Sequence, residues 1–276
     1  MRTESTPAFI QEHPTLDRPI FLVGHARGGT TMLGNLIGLH PGVGPKPFHL
    51  QATSGARLDQ TKDHEQHYRM AWASEQKDIW FDHLPGMEVF ATMGNKLIIE
   101  EFKPEHETAE LFSKLTEGLD ERRFFSKAPF NSFRVLALRK LFPNAKIVAI
   151  YRDIHDVIGS YLTWRYRPVY AMMSRRHAID RLARCWYETF RYLENHRESI
   201  CIETVRYEDF VRQPERLLHQ LWSFLELEPV KGLDLSSVQR ASPRWRRELD
   251  LKSRAYIRLR GLRARWPYSK AGTIRV

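Results

Sequence analysis

Cysteine is scarce: the 276 residues hold two, Cys185 and Cys201. That excludes a disulfide framework and leaves folding to an ordinary core, which 42% apolar residues can supply. A reducing, cytoplasmic compartment is the expectation. Long apolar runs are also missing, and none approaches the roughly 20 residues that cross a bilayer. Met1 to Pro14 is polar, with Glu4, Glu12 and His13 where a signal peptide has its apolar stretch, so neither a leader nor a membrane span is expected. Charge of one sign is lacking over most of the length. The formal net charge is +10, but Arg244 to Arg275 carries eleven basic residues against Glu248 and Asp250, so nearly all the excess lies in that tail. The body is close to neutral, no recognition motif accompanies the charge, and a nucleic-acid partner is not expected.

What is present reads as alternating strands and helices. Pro19 to Val23 is a short apolar run of the kind buried on both faces of a sheet, followed by the loop Gly24 to Thr31 (GHARGGTT) and a helix over Thr31 to His40, stopped by Pro41-Gly42. Val43 to Pro104 has no sustained period and is expected to form an irregular lobe. Regularity returns with a strand at Arg123–Lys127, a helix over Asn131–Leu141, a strand rich in β-branched residues at Lys146–Tyr151 and a helix over Asp153–Trp164. A long amphipathic helix over Arg176–Arg197, a strand over Ile200–Val205 and a helix over Pro214–Leu225 complete the pattern. Such alternation predicts an α/β fold of three layers, a central parallel sheet flanked by helices, with right-handed crossovers.

Against the nucleotide phosphate loop G-x-x-x-x-G-K-[ST], the segment has Gly24, four residues, Gly29, then Thr30 where lysine belongs, then Thr31. Glycines let backbone N–H groups converge on an anion, and the helix start adds partial positive charge. Arg27, inside the loop, supplies a displaced cation. The missing lysine argues against a Mg²⁺-dependent triphosphatase. Glycine spacing alone suits an unliganded strand-to-helix turn equally well.

A second cluster begins where the next buried strand ends. Tyr151-Arg-Asp-Ile-His-Asp-Val-Ile-Gly-Ser160 places Arg152 at the strand's carboxyl end and Ser160 two turns into the following helix. Taken alone this is an ordinary capped helix with a solvated arginine. Two anion sites at neighbouring parallel strand ends, however, fit the rule for ligand crevices in such sheets, and one ligand with two separated anionic groups would satisfy both.

These residues resemble the sulfotransferases that use 3′-phosphoadenosine 5′-phosphosulfate (PAPS), bacterial, carbohydrate and tyrosylprotein enzymes among them. The resemblance runs from about Pro19 to Pro229 and rests on four segments in order: Pro19 to Pro41, Ser126-Lys-Ala-Pro-Phe-Asn131, Leu141 to Leu162, and Val205-Arg-Tyr-Glu-Asp-Phe210. It implies a P-loop-like sulfotransferase domain over 19–243 with an irregular acceptor lobe at 43–104, after a flexible segment 1–18 and before a basic arm 244–276 packed on the same domain. It implies that Gly28, Gly29, Thr30 and Thr31 hold the 5′-phosphosulfate, Arg152 and Ser160 the 3′-phosphate, and that Tyr207 lies near the adenine. Arg27 and Lys127 would stand against the sulfuryl group and bridging oxygen, where fixed cations stabilise the charge that builds on the leaving phosphate. The product would be the bisphosphate PAP, and no metal is required on this reading.

The resemblance has gaps. Many relatives carry an acidic base after the His-Pro helix end; here the chain reads Pro41-Gly-Val-Gly-Pro-Lys-Pro-Phe-His49, and His49 is the expected base, with Asp59, His64, Glu65 and His67 as competitors. His64 and His67 share a helix face but have no second ligand pair, so a zinc site is not expected. The lobe aromatics Phe48, Tyr68, Trp72, Trp80, Phe81 and Phe90 suit either acceptor stacking or a small satellite core. In the tail, Trp266 to Gly272 resembles a segment that returns to the 3′-phosphate in some relatives, which would bring Lys270 and Gly272 over the donor. A polyanionic acceptor or plain solvation would equally account for the arginines. The acceptor is expected to be a hydroxyl or amine, on an acidic or carbohydrate molecule or another. Two other functions remain open at this point, a small-molecule kinase of the same loop ancestry and a catalytically silent binding module.

Overall fold

The computed structural model describes residues 8–44, 119–127, 129–163, 174–236, 238, 243 and 245–263. Five strands, β1 (Ile20–Gly24), β2 (Val43–Gly44), β3 (Arg123–Lys127), β4 (Lys146–Tyr151) and β5 (Ile202–Arg206), form one sheet in the order β2-β3-β1-β4-β5. Every pairing is parallel. The chain places β2 and β3 on one side of β1 and then β4 and β5 on the other, so β1 sits at the switch point where a crevice opens beyond the strands' carboxyl ends.

Nine helices accompany the strands: α1 (Ala8–Glu12), α2 (Thr30–Gly38), α3 (Val135–Leu141), α4 (Ile154–Leu162), α5 (Arg175–His196), α6 (Tyr207–Phe210), α7 (Pro214–Leu225), α8 (Trp245–Glu248) and α9 (Leu251–Arg263) among the described residues. The two-residue period of the strands sorts the core into two halves. Ile20, Leu22, Val148, Ile150 and Val205 face Leu33 and Ile37 of α2 and Leu221 and Trp222 of α7. Phe21, Val23, Ile147, Ala149 and Tyr151 face Val157 and Tyr161 of α4 and Trp186 and Phe190 of α5. Because both faces are covered, β1 is buried along its whole length and reads as an unbroken apolar run. The Tyr151 and Phe190 rings lie 4.3 Å apart, and truncating an aromatic residue at such a site costs about 3–5 kcal/mol. This is the expected three-layer α/β fold.

Local departures have local causes. The helix expected over Asn131–Leu141 is instead a 3₁₀ turn, Pro129–Phe133, followed by α3. Ser132 is committed elsewhere: its hydroxyl accepts from Gly24 N–H at 2.8 Å and donates to Gly24 C=O at 3.1 Å, while Asn131 donates to Ser126 at 3.3 Å. The strand expected from Ile200 begins at Ile202, because the chain leaving α5 turns through Cys201 at φ 53°. Val43 and Gly44, expected in the irregular lobe, pair with Arg123 and Phe124 as a fifth strand. The rest of that lobe lies outside the described residues.

The described part of the basic tail is helical and docked. A Cβ on Gly159 of α4 would stand 2.7 Å from the Trp245 nitrogen, so α8 meets α4 at backbone distance. On α9, Ile257 C=O accepts from Tyr187 at 3.1 Å and Tyr256 donates to the Asp180 carboxylate. Arg254 lies over the Trp245 ring at 4.9 Å and donates to the carbonyls of Leu249 (2.7 Å) and Arg246 (2.6 Å).

Candidate active site

The loop after β1 is shaped by contacts that exclude side chains. Gly24 has φ 143°, and a Cβ there would lie 2.6 Å from Ile150 C=O. His25 is fully buried, its Nδ1 is 2.8 Å from Ala26 C=O, and its ring meets Tyr161 edge-on at 5.7 Å. Burial pushes the His25 pKa down to about 4. A turn follows in which Gly28 N–H donates to His25 C=O at 2.9 Å, so the Gly28 amide closes the loop on itself. Arg27 takes φ 65° and Gly29 φ 100°. The first α-helical bond of α2 runs from Leu33 N–H to Gly29 C=O at 3.1 Å. The amides of Thr30, Thr31 and Met32 therefore have no acceptor within their helix.

Two further strand ends, those of β4 and β5, meet this loop. Arg152 follows β4 and is 7% exposed. Its guanidinium carbon lies 4.4 Å from the centre of the Tyr207 ring, Nη1 donates to Arg27 C=O at 3.3 Å, and Nη2 is 4.0 Å from Asp156. Its carbonyl accepts from Trp186 Nε1 at 3.1 Å, which fixes the backbone beneath the side chain. Arg152 Nε is buried with no hydrogen-bond partner, which suits an anion the crevice receives. Ser160, on α4, accepts from Arg27 Nε at 3.0 Å. That helix is capped by Asp153, which accepts from the amides of His155 (2.8 Å) and Asp156 (3.3 Å). Tyr207 opens α6 at the end of β5, is 5% exposed, and packs so closely on Gly29 that a Cβ there would be 2.6 Å from its Cδ2.

Lys127 ends β3, level with Leu22 of β1. It is half-buried, and burial lowers its pKa. Its methylene stem crosses α2 at Gly34, where a Cβ would stand 2.8 Å from Lys127 Cγ.

Of the residues expected from the sequence, Arg27, Gly29, Arg152, Ser160 and Tyr207 thus form one connected cluster, and Gly28, Thr30 and Thr31 build the adjoining turn and helix start. Lys127 stands on the β3 side of that helix. His49, Lys270 and Gly272 lie outside the described residues, as do Asp59, His64, Glu65 and His67. Sequence reasoning missed three contributors. Asp156, four residues from both Arg152 and Ser160, was readable from helical spacing. Gly34 showed only as a glycine inside a helix, and nothing local marks Ser132 as the partner of Gly24. Among the described residues, no group of three or more His, Cys, Asp or Glu is placed to hold a metal ion, and no helix is long and apolar enough to cross a membrane.

The loop with Arg27 follows β1, Arg152 and Ser160 follow the neighbouring β4, and a model of the sulfotransferase family matches residues 19–231. The chain belongs to the sulfotransferase family. Among curated relatives, the omega-hydroxy-beta-dihydromenaquinone-9 sulfotransferase Stf3 of Mycobacterium bovis and of Mycobacterium tuberculosis are each 26% identical over 263 residues. The match spans 79% of this chain and 65% of those relatives. Among solved structures, the sulfotransferase domain from the curacin biosynthetic pathway superposes with a TM-score of 0.52 at 16% identity, covering 82% of this chain and 79% of that one. Mouse sulfotransferase SULT7A1, solved with PAP, superposes with a TM-score of 0.50 at 11% identity over 92% of this chain and 86% of its own. Both likenesses concern the shared sulfotransferase fold.

Proposed function

We propose that this chain transfers a sulfuryl group from PAPS to a hydroxyl or amine of an acceptor, releasing PAP. The observation that carries the reading is the buried Arg152 Nε, which has no hydrogen-bond partner, in a guanidinium that lies over the Tyr207 ring and bonds the carbonyl of Arg27 in the glycine loop. PAPS brings an activated sulfuryl group whose S–O bond to phosphate breaks as a bond to the acceptor forms. The residues here do the rest. The amides of Gly29, Thr30 and Thr31, on the turn that Gly28 closes, hold the 5′-phosphosulfate. Arg152 and Ser160 hold the 3′-phosphate, and Tyr207 lies near the adenine. Lys127 neutralises charge gathering on the bridging oxygen, and Arg27 supplies the loop's own cation. Fixed cations of the chain perform this without a resident metal.

His49 takes the acceptor's proton in this scheme, and Lys270 and Gly272 close over the donor. The acceptor lobe is the stretch after β2, 45–104, within a domain 19–243 that bears the arm 244–276. A hydroxyl acceptor is favoured because the curated relatives are named for a hydroxylated substrate. Cys185 and Cys201 are both unpaired, which suits the reducing cytoplasm.

Incubation with ³⁵S-labelled PAPS and a panel of phenols, sugars, hydroxylated quinones and acidic polysaccharides tests the transfer. Thermal denaturation tests the donor site separately. PAP should raise the melting temperature clearly and ATP with Mg²⁺ much less, whereas equal stabilisation by both would point to a kinase.

A further inference from the structure

Helix α9 is held on one face and bare on the other. Ile257 is buried and its carbonyl accepts from Tyr187 at 3.1 Å, Tyr256 donates to Asp180 of α5, and Arg254 folds back over the Trp245 ring. Leu251, Ala255 and Leu259 recur at four-residue spacing, so they share a stripe turned away from those contacts, and all three are exposed. Leu251 is 78% and Leu259 56% exposed, and the third large apolar side chain exposed among the described residues is Leu39, at 39%. Two of these three therefore lie on one stripe of one helix, unlike the single leucines that any protein surface scatters. A cation stands on each border of the stripe: Lys252 lies just beyond Leu259 around the helix, Arg258 just before Leu251, and both are exposed. On the adjoining α8, Arg246 and Arg247 are exposed as well. Over 245–259 five basic residues stand against Glu248 and Asp250, and Glu248 is already paired with Arg175 at 3.9 Å and Arg247 at 2.9 Å.

The two chemistries of this face select its partner. A second copy of the chain would set Lys252 and Arg258 against the same cations, and like charges brought together oppose association. A soluble polyanion would satisfy the cations and leave the leucines in water. The surface of an anionic bilayer answers both, with phosphates at the level of the cations and acyl chains just beneath for the leucines. We propose that α9 docks this chain on an anionic phospholipid bilayer, Leu251 and Leu259 entering the boundary between headgroups and acyl chains while Lys252 and Arg258, with Arg246 and Arg247 beside them, meet the phosphates. The stripe runs for about two turns along the helix, or about 12 Å, so α9 lies flat on the surface and crosses nothing. Its inner face stays on α5 throughout, and the contact needs no change of fold. None of these residues belongs to the donor site, so the proposal stands apart from the sulfuryl-transfer reading.

Co-sedimentation of the full chain with vesicles tests it, at one fixed ionic strength. Vesicles of phosphatidylcholine alone are compared with vesicles that also contain about one quarter phosphatidylglycerol. Wild type should partition onto the anionic vesicles at least about tenfold more strongly than onto the neutral ones. Leu251→Ser/Leu259→Ser, which keeps every charge, and Lys252→Gln/Arg258→Gln, which keeps both leucines, should each lower partition onto the anionic vesicles by on the order of tenfold. All four side chains are exposed, so the melting temperatures should match that of wild type. Wild type that ignores the anionic vesicles overturns the proposal. So does binding that falls with the cation pair and is untouched by the leucine pair, because that is the behaviour of a polyanion site. A leucine pair that converts a dimer to a monomer in sedimentation without vesicles assigns the face to a second copy and overturns it too. Should the serine pair lack a cooperative melt, Leu251→Ala/Leu259→Ala decides by the same criterion.

Discussion

Gly29 and Tyr207 touch so closely that there is no room for a methyl group between them: a Cβ on Gly29 would lie 2.6 Å from Cδ2 and 3.1 Å from Cε2 of the ring. The last turn of the phosphate loop and the first residue after β5 are therefore one surface, although 178 positions in sequence separate them.

That contact makes Gly29→Ala a sharp probe. The substitution adds the clash to a backbone held at φ 100°, a conformation in which a side chain costs roughly 1–2 kcal/mol. Tyr207 cannot retreat freely, because its other neighbour is the Arg152 guanidinium at 4.4 Å. PAP affinity should fall at least about tenfold, measured by calorimetric titration, with a lowered melting temperature. An unchanged affinity would show that the ring does not bear on the donor.

Lys127 and Gly34 give a second prediction. Lys127→Ala should lower kcat by about two to three orders of magnitude, the scale for losing one preorganised donor at a developing charge, with a smaller change in PAP affinity. Gly34→Ala should lower kcat too, because the new Cβ stands 2.8 Å from Lys127 Cγ. It should do so without loss of stability from the helix itself, which gains roughly 1 kcal/mol in propensity. In the Lys127→Ala background Cγ is gone and Gly34→Ala should have no further effect on rate, a non-additivity that steady-state kinetics of the four enzymes would reveal. Burial lowers the Lys127 pKa, and the ammonium form is the active one. The alkaline limb of kcat should accordingly fall at lower pH than an exposed lysine would give.

Much of this site was readable beforehand because its spacing is local. The interval from Gly24 to Thr31 and the step from Arg152 to Ser160 each lie within one strand-loop-helix unit, where periodicity fixes which groups face the crevice. The strands β1, β3 and β4 were legible for the same reason, being short β-branched or aromatic runs closed by loops. What could not be read was set by partners far along the chain. Ser132 takes both backbone groups of Gly24 across 108 positions and so breaks a helix that local propensity alone would have continued. The two-residue β2 is a strand only because Arg123 and Phe124 offer it an edge. The bond from Arg27 to Ser160 likewise emerges only when β1 and β4 are neighbours.

His25 offers the last prediction, this one on stability. Its folded pKa is lowered to about 4 because the ring is fully buried, whereas in the unfolded chain it titrates near 6.5. Above pH 6.5 the residue is neutral in both states and contributes no pH dependence. Between 6.5 and 4 the unfolded chain binds a proton that the folded chain refuses, so stability falls as pH falls, by up to about 1.4 kcal/mol per pH unit and about 3 kcal/mol in all. Glu188 and Glu203, whose pKa values burial raises, pull the other way in part of this window. The difference between wild type and His25→Asn isolates the histidine, since asparagine can place an N–H where Nδ1 meets Ala26 C=O. Denaturant unfolding at pH 7 and pH 4.5 should show wild type losing more stability than His25→Asn; parallel losses in the two proteins would mean that His25 accepts its proton in the folded state.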